Sequence, residues 1–425
     1  MKVLIAGTFY KSGGAAIAAH RLVSALSSDC DVSYLTQKAS TDSLPQTYSY
    51  DSERFGKIRY LFRFIVERLY FYTKEKNKLV RYNFSPANTG VDITQHPFFQ
   101  SADIIHLHWI NQGFISLNNL EQIIQSNKPI VITLHDMWYF TGGCHYSGSC
   151  EGYKHQCGNC PLLSRPSSDD ISHQLLLKKI SILSQAKNIQ WVTCSNWLQK
   201  EALSSTLLKE ANVVSIPNPL PEYYATERPD TASLRKSFDL PPATPLILIG
   251  AMQLQDARKG FAYFKKALDF LVKEHFVVPP EIVIFGGVKK KQAEIFSDFP
   301  FTVHYKGQMN PSTELPKLYA ACDVFVLPSL EDNLPNTVAE AMSQATPVVA
   351  FNIGGLSQMI DSGINGYLAK EKDSADLAKG IYTVLTGDLT SYKKEARSKA
   401  IGLYDAKKVS SQYVGIYTDL LNRLR

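Results

Sequence analysis

Residues 323 to 350 narrow the choice of fold more than any other stretch of this chain. Asp323-Val324-Phe325-Val326-Leu327 and Thr346-Pro347-Val348-Val349-Ala350 are short apolar runs with no polar alternation. That is the pattern of strands buried on both faces of a parallel sheet. Between them lies Pro328-Ser329-Leu330-Glu331-Asp332-Asn333-Leu334-Pro335-Asn336-Thr337-Val338-Ala339-Glu340-Ala341-Met342. It opens as a polar loop and takes on helical periodicity from Asn336, with Pro335 and Asn336 suited to a helix start. The order strand, loop, helix, strand predicts that the loop sits at the carboxyl edge of a sheet, where open α/β sheets take their ligands. Freed amides at Asn336, Thr337 and Val338 suit an anionic phosphate. Glu340, one turn further on, suits a sugar or ribose hydroxyl. Taken alone, the stretch also fits an ordinary βαβ unit with a solvated acidic loop.

Similar runs recur along the chain. Residues 3–6, 32–35, 103–107, 129–134, 189–194 and 212–216 read as strands in the first half, and 245–249, 281–285 and 302–306 in the second. The 425 residues allow two to three domains at ~150 residues each. Three prolines in Pro217-Asn218-Pro219-Leu220-Pro221 mark the linker. This divides the chain into domains 1–217 and 218–404, followed by a terminal helix over 405–425. In that helix Val409, Tyr413, Ile416, Leu420 and Leu424 share one apolar face, which must be buried. With 44% hydrophobic and 20% charged residues the composition is that of a soluble globular protein. The first apolar run, Met1 to Gly7, is too short for a signal peptide and reads as the first strand. No window is long and apolar enough for a spanning helix, so a cytoplasmic protein is expected. A net charge of +6 is mild, and nucleic acid is not an expected partner.

Several short stretches carry chemistry. Gly7-Thr8-Phe9-Tyr10-Lys11-Ser12-Gly13-Gly14 connects a strand to a helix but lacks the dinucleotide G-x-G-x-x-G pattern. Asp29-Cys30-Asp31 falls in a turn and reads as turn chemistry. His135 and His108 each follow a buried strand, at the ligand edge. Arg258-Lys259-Gly260 opens a helix after a strand end, so its cations suit a diphosphate, or simply a charged surface. Gly354-Gly355 marks a close approach of backbone to a ligand or a neighbouring helix. Cys144, Cys150, Cys157 and Cys160 crowd into one loop over 141–163, where structural zinc competes with disulfides or free thiols. His145 or His155 is an alternative ligand there. Residues 57–81 interleave Lys57, Arg59, Arg63, Arg68, Lys74, Lys76, Lys78 and Arg81 with aromatic and aliphatic side chains. Such a segment suits an interfacial helix on anionic lipid, or a helix packing its aromatic stripe inward with its charges solvated.

Asp332 and Glu340 bracket seven residues, followed by Ala341-Met342 and the Pro347-Val348-Val349-Ala350 strand. This resembles the E-x7-E signature of the family 4 retaining glycosyltransferases, with Asp in the first position. Lys259 with Gly260 resembles the family's donor loop, although Ala251 stands where an Arg is usual. The Thr133-Leu134-His135-Asp136 strand end and the Gly13-Gly14 loop also have counterparts. The resemblance implies the GT-B fold, two Rossmann-like parallel-sheet domains facing across a cleft, with the last helix returning to the first domain. It implies transfer of a sugar from a nucleoside diphosphate sugar to a saccharide or lipid-linked acceptor, with retention and no catalytic metal, in bacterial surface polysaccharide assembly. Lys259, Arg258 and the amides of Asn336, Thr337 and Val338 would then meet the diphosphate, and Glu340 the ribose. Asp332, Asn333, Leu334 and His135 would meet the sugar, Gly307 and Gln308 the base, and Gly13 and Gly14 the acceptor. A peripheral position at the inner face of the cytoplasmic membrane, through residues 57–81, would follow. The rival readings are a nucleotide-sugar epimerase and a scaffold that binds donor without turnover.

Overall fold

The computed structural model describes the chain except for residues 39–43, 185, 187, 227–229, 254–255, 288–298 and 424–425. The described residues form two parallel sheets. The first holds β1 (Lys2–Phe9), β2 (Asp31–Lys38), β3 (Thr47–Ser49), β4 (Ile104–Leu107), β5 (Ile130–Leu134), β6 (Ile189–Thr193) and β7 (Val213–Ser215), in the order β3-β2-β1-β4-β5-β6-β7. The second holds β8 (Leu246–Gln253), β9 (Glu281–Gly287), β10 (Val303–Gly307), β11 (Val324–Leu327), β12 (Val348–Phe351) and β13 (Gly366–Ala369), in the order β10-β9-β8-β11-β12-β13. In each, the chain steps outward from the first strand and then returns to build on its other side, the Rossmann order. Both Rossmann-like domains implied by the resemblance are present. The chain divides into two compact units, Met1–Pro219 with Lys407–Arg425, and Leu220–Ala406.

Composition explains the central strands. β4, β5, β11 and β12 are buried along their whole length, as strands covered on both faces must be. In the first unit the period of two sorts residues to opposite faces. Val3 and Ile5 of β1 pack with Ala19, Leu22, Val23 and Leu26 of the helix Gly14–Leu26. Leu4 and Ala6 join Ile105, Leu107, Leu120, Ile123 and Leu134 on the other side.

The terminal helix Ala406–Arg423 supplies Val409, Tyr413, Tyr417 and Leu420 to the Val3 side of that core. Tyr417 is fully buried and Ile416 only partly so, which corrects the apolar face expected from the sequence. Leu424 lies outside the described residues. The reason for Tyr417 is polar. Its hydroxyl meets Nδ1 of the buried His106 at 2.7 Å, Nε2 of His106 meets Thr133 Oγ1 at 2.8 Å, and Tyr413 reaches the same Oγ1 at 3.0 Å. A buried imidazole needs partners for both nitrogens, and an isoleucine offers none.

Residues 57–81 contain the helix Gly56–Tyr72 and a short 3-10 turn at Lys78–Val80. Apart from the buried Phe71, its aromatic and aliphatic stripe does not pack inward. Phe55, Ile58, Leu61, Phe62, Ile65 and Leu69 are exposed, whereas Glu67 and Arg68 are buried. Among the described residues, no helix is long and apolar enough to cross a membrane.

In the second unit one buried carboxylate ties three segments together. Asp323, at the start of β11, accepts from Arg235 Nη2 at 2.6 Å, the Leu246 amide at 2.9 Å and Lys393 Nζ at 2.9 Å. Arg235 also donates to the carbonyls of Ala321 and Thr244. Asp323→Ala would leave a buried guanidinium uncompensated and should lower unfolding free energy by about 3–5 kcal/mol. Arg235→Met with Asp323→Leu should recover part of that loss in urea denaturation, because it removes both members of the buried pair and leaves only the partly exposed Lys393 without a partner.

Candidate functional site

The strand order of the second unit reverses between β8 and β11, and the loops leaving these two strands meet there. Ligands bind open α/β sheets at such a switch point. Residues 256–260 follow β8 and residues 328–335 follow β11. The Leu330 amide donates to the Arg258 carbonyl at 2.7 Å. Gly260 has φ +64°, and a Cβ there would lie 1.8 Å from the Pro328 carbonyl oxygen. On the other flank the Gly355 amide donates to the Asn333 carbonyl at 2.7 Å. A Cβ on Gly354, with φ +51°, would lie 1.9 Å from the Asp332 carbonyl oxygen. The neighbour that Gly354-Gly355 approaches is therefore the loop itself.

Held this way, the loop presents a charge pair. Lys259 Nζ stands 2.9 Å from Asp332 Oδ2, and both side chains are partly exposed. Arg258 bonds Asp256, Nη2 to Oδ2 at 2.7 Å and Nε to Oδ1 at 3.1 Å. Burial pushes the Glu331 carboxyl up, only partly offset by Arg258. Asn333 and Leu334 are buried, and the helix Asn336–Ser343 follows with Pro335 as its N-cap. The Val338 amide donates to the Pro335 carbonyl at 3.1 Å. Of the three amides expected to face an anion, that one is engaged within the turn. Glu340 is buried one turn on, and Tyr319 donates its hydroxyl to Glu340 Oε2 at 3.4 Å. Gly307 ends β10 at φ +70° with open space on its Cβ side, and Gln308 beside it is exposed.

The first unit has its own switch point, between β1 and β4. The Thr8 amide donates to the Trp109 carbonyl at 2.9 Å, and Phe9 stacks on Trp109. Gly13 caps the next helix at φ +90° with nothing near its Cβ position, and Gly14 is exposed. His135, at the end of β5, joins a row of imidazoles. Its Nε2 meets His108 Nδ1 at 2.8 Å, and His108 lies tilted beside His106 with centroids 4.4 Å apart. Cys194 approaches His135 Nδ1 at 3.4 Å. Burial pushes His106 down to about 3 and His135 to about 4, so the row is neutral. Asp136 takes the adjacent role. It accepts from Trp109 Nε1 at 2.8 Å, His145 Nδ1 at 2.7 Å and the Trp138 amide at 2.9 Å. Burial pushes its carboxyl up, but His145 and these donors outweigh that and hold it below the usual carboxylate range. Sequence reasoning assigned no role to Asp136 and took Cys194 for an ordinary core residue, and Cys194 is indeed buried. The direct His135-Asp136 succession was the available signal for the first, and none existed for the second.

Cys144, Cys150, Cys157 and Cys160 come together around one small pocket with Phe84, Tyr153 and Ser172. All four are free thiols. Burial pushes Cys144 up to about 12 and Cys157 and Cys160 to about 11. Among the described residues, no group of three or more His, Cys, Asp or Glu is arranged to hold a metal ion. Of the readings the sequence left open for this loop, structural zinc therefore gains no support, and the four cysteines stand as free thiols. His145, the alternative ligand, is committed to Asp136 and, through Nε2, to Ser85 Oγ at 2.9 Å.

Residues 244–387 match the family model of the Glycosyl transferases group 1. The chain carries a glycosyl transferases group 1 domain. It is 25% identical over 361 residues, 80% of each chain, to the putative colanic acid biosynthesis glycosyl transferase WcaC of Escherichia coli K12. Its fold is similar to sucrose-phosphate synthase of Thermosynechococcus elongatus, with TM-score 0.69, 18% identity and 99% of both chains covered. It is also similar to Anabaena HepE in complex with UDP, with TM-score 0.63, 15% identity and 99% and 100% covered. The fold is GT-B, as the carboxylate signature implied.

Two outcomes test the geometry of the glycosyl transferases group 1 domain and of the imidazole row. Gly260→Ala should lower stability by about 1–3 kcal/mol in chemical denaturation, because backbone oxygen cannot yield as a side chain would. The imidazoles stay neutral when folded, whereas an unfolded chain protonates them near 6.5. Below that pH the unfolded state binds more protons, so stability falls as pH falls through the window from about 6.5 toward 4, by up to ~1.4 kcal/mol per unit per histidine. His135→Gln should flatten that slope in urea titrations across pH.

Proposed function

We propose that this protein is a family 4 retaining glycosyltransferase that moves a sugar from a nucleoside diphosphate sugar to a saccharide or lipid-linked saccharide in bacterial surface polysaccharide assembly. The observation that carries the reading is the Lys259–Asp332 pair, 2.9 Å apart at the switch point and beside a helix N-terminus. A cation and a carboxylate so placed suit the two halves of such a donor, the diphosphate and the sugar hydroxyls. Colanic acid biosynthesis in the E. coli relative and UDP in the HepE structure support the same class.

In this reading the bond from the anomeric carbon to the diphosphate oxygen breaks, the acceptor hydroxyl oxygen takes its place on the same face, and the hydroxyl proton passes to the departing diphosphate. Lys259 and the Asn336 and Thr337 amides stabilise the charge on the departing diphosphate, the term that carries most of the rate. Arg258 meets the diphosphate by leaving its pair with Asp256. Asp332 exchanges its ion pair for sugar hydroxyls, with the backbone of Asn333 and Leu334 beside it. Glu340 accepts from the ribose, and Gly307 and Gln308 border the base. Gly13 and Gly14 leave room for an acceptor. His135 takes a sugar hydroxyl on Nδ1 by giving up its weak contact with Cys194. A scaffold that binds donor without turnover is the second reading, favoured by Asp332 in the first signature position, already held by Lys259.

Purified protein incubated with a panel of nucleotide sugars and saccharide or lipid-extract acceptors should release nucleoside diphosphate from one donor. Lys259→Ala should cut that rate by on the order of 10²-fold or more, and Glu340→Ala should weaken donor binding. Binding without release under all acceptors would establish the scaffold. Neither binding nor release across the panel would overturn the assignment of the site.

A further inference from the structure

The helix Gly56–Tyr72 is turned inside out. Glu67 and Arg68, adjacent and paired at 2.6 Å, are its buried residues, with Gly56 and Phe71. Glu67 accepts from the Gly113 amide at 2.9 Å, and Arg68 donates to the Arg81 carbonyl at 2.7 Å. Arg63 reaches Gly113 and Gln37. Phe71 stacks on the buried Phe84, with centroids 4.6 Å apart. These anchors fix the rotation of the helix about its axis. The opposite side then carries Phe55, Ile58, Phe62, Ile65, Leu69 and Tyr72, at spacings of three and four residues, in a continuous apolar stripe. Ile58 is 65% exposed, Phe62 68% and Leu69 57%. A soluble helix ordinarily buries such a stripe, and contiguous exposed apolar surface marks an interaction site.

Charge identifies the partner. Every carboxylate between residues 53 and 82 is neutralised by an arginine: Glu53 by Arg59, Glu67 by Arg68 and Glu75 by Arg81. Arg54, Lys57, Lys76 and Lys78 are exposed around the stripe, and no ion pair joins them to a carboxylate among the described residues. The segment 78–82 runs back beside the end of the helix, since Arg81 lies over the ring of Tyr72 and Arg68 over that of Tyr82. It adds the exposed Leu79 and Tyr82. An apolar stripe with cations at its borders, and no acid of its own left unpaired, complements an anionic bilayer surface. Apolar side chains enter the acyl boundary and cations meet headgroup phosphates. We propose that residues 54–82 dock this protein on an anionic membrane, with the helix Gly56–Tyr72 lying in the plane of the interface. The proposal rests on this surface alone and holds whether or not the donor-site reading does.

Flotation of the full chain with vesicles tests it. Wild type should float with phosphatidylcholine–phosphatidylglycerol vesicles, much less with phosphatidylcholine alone, and less in high salt. Phe62→Asp should weaken binding by on the order of tenfold or more, and Lys57→Ala and Lys78→Ala by about fivefold each. Their thermal unfolding and nucleotide binding should match wild type, because these side chains are exposed. Wild type that stays unbound to both vesicle types overturns the proposal, as does Phe62→Asp that floats like wild type. So does a wild-type dimer in light scattering that Phe62→Asp makes monomeric without change in flotation, which would assign the stripe to a second copy of the chain.

Discussion

Backbone contact at two glycines sets the geometry on which the candidate site of the second unit depends. The loop after β11 cannot move away from the loop after β8 or from residues 354–355 without breaking the amide-to-carbonyl bonds that close on it from both sides. Side chains at Gly260 or Gly354 would occupy the same space as carbonyl oxygens. The result is that Lys259, Asp332 and the start of the helix Asn336–Ser343 are held together before any ligand arrives. Pre-organisation of this kind matters because charge stabilisation is strongest when the stabilising groups need not rearrange.

The first unit solves a different problem, that of polar groups inside an apolar core. His106, Thr133, Tyr413 and Tyr417 form one closed set of hydrogen bonds, so the terminal helix is attached by chemistry as well as by packing. The same neutrality extends through His108 to His135 at the sheet edge. Asp136 gathers Trp109, Trp138 and His145 beside them and so orders the loop that carries the four cysteines. Lys179 supports that loop from within, donating to the carbonyls of Trp138 and Thr141. Its amine is pushed down to about 7 by burial.

Much of this was legible in advance, for identifiable reasons. The runs at 323–327 and 346–350 are uninterrupted and apolar because both faces of those strands are covered, and such runs leave little choice but a parallel sheet. Proline and asparagine at the helix start, and glycines at positions of positive φ, are local requirements that show in local sequence. The exchange of Ile416 for Tyr417 on the buried face was not legible, because the demand for a hydroxyl comes from His106, more than three hundred residues away. The partnering of His145 by Asp136 and Ser85 was equally hidden, so a histidine near four cysteines read as a ligand. The orientation of the helix Gly56–Tyr72 was open in the sequence, since its charged and apolar residues each fit an inward or an outward face.

The sequence by itself determined the element types, the parallel sheets and the signature positions, because these follow from short-range pattern: burial on one or two faces, periodicity, and the backbone conformations that proline and glycine permit. Only the tertiary structure decided which groups are already spoken for. Lys259 is paired with Asp332, Val338 is engaged within its own turn, and burial pushes the thiols of Cys144, Cys157 and Cys160 up around one small pocket. Those outcomes depend on distances between residues far apart in the chain and on exclusion of water, and a one-dimensional pattern contains neither.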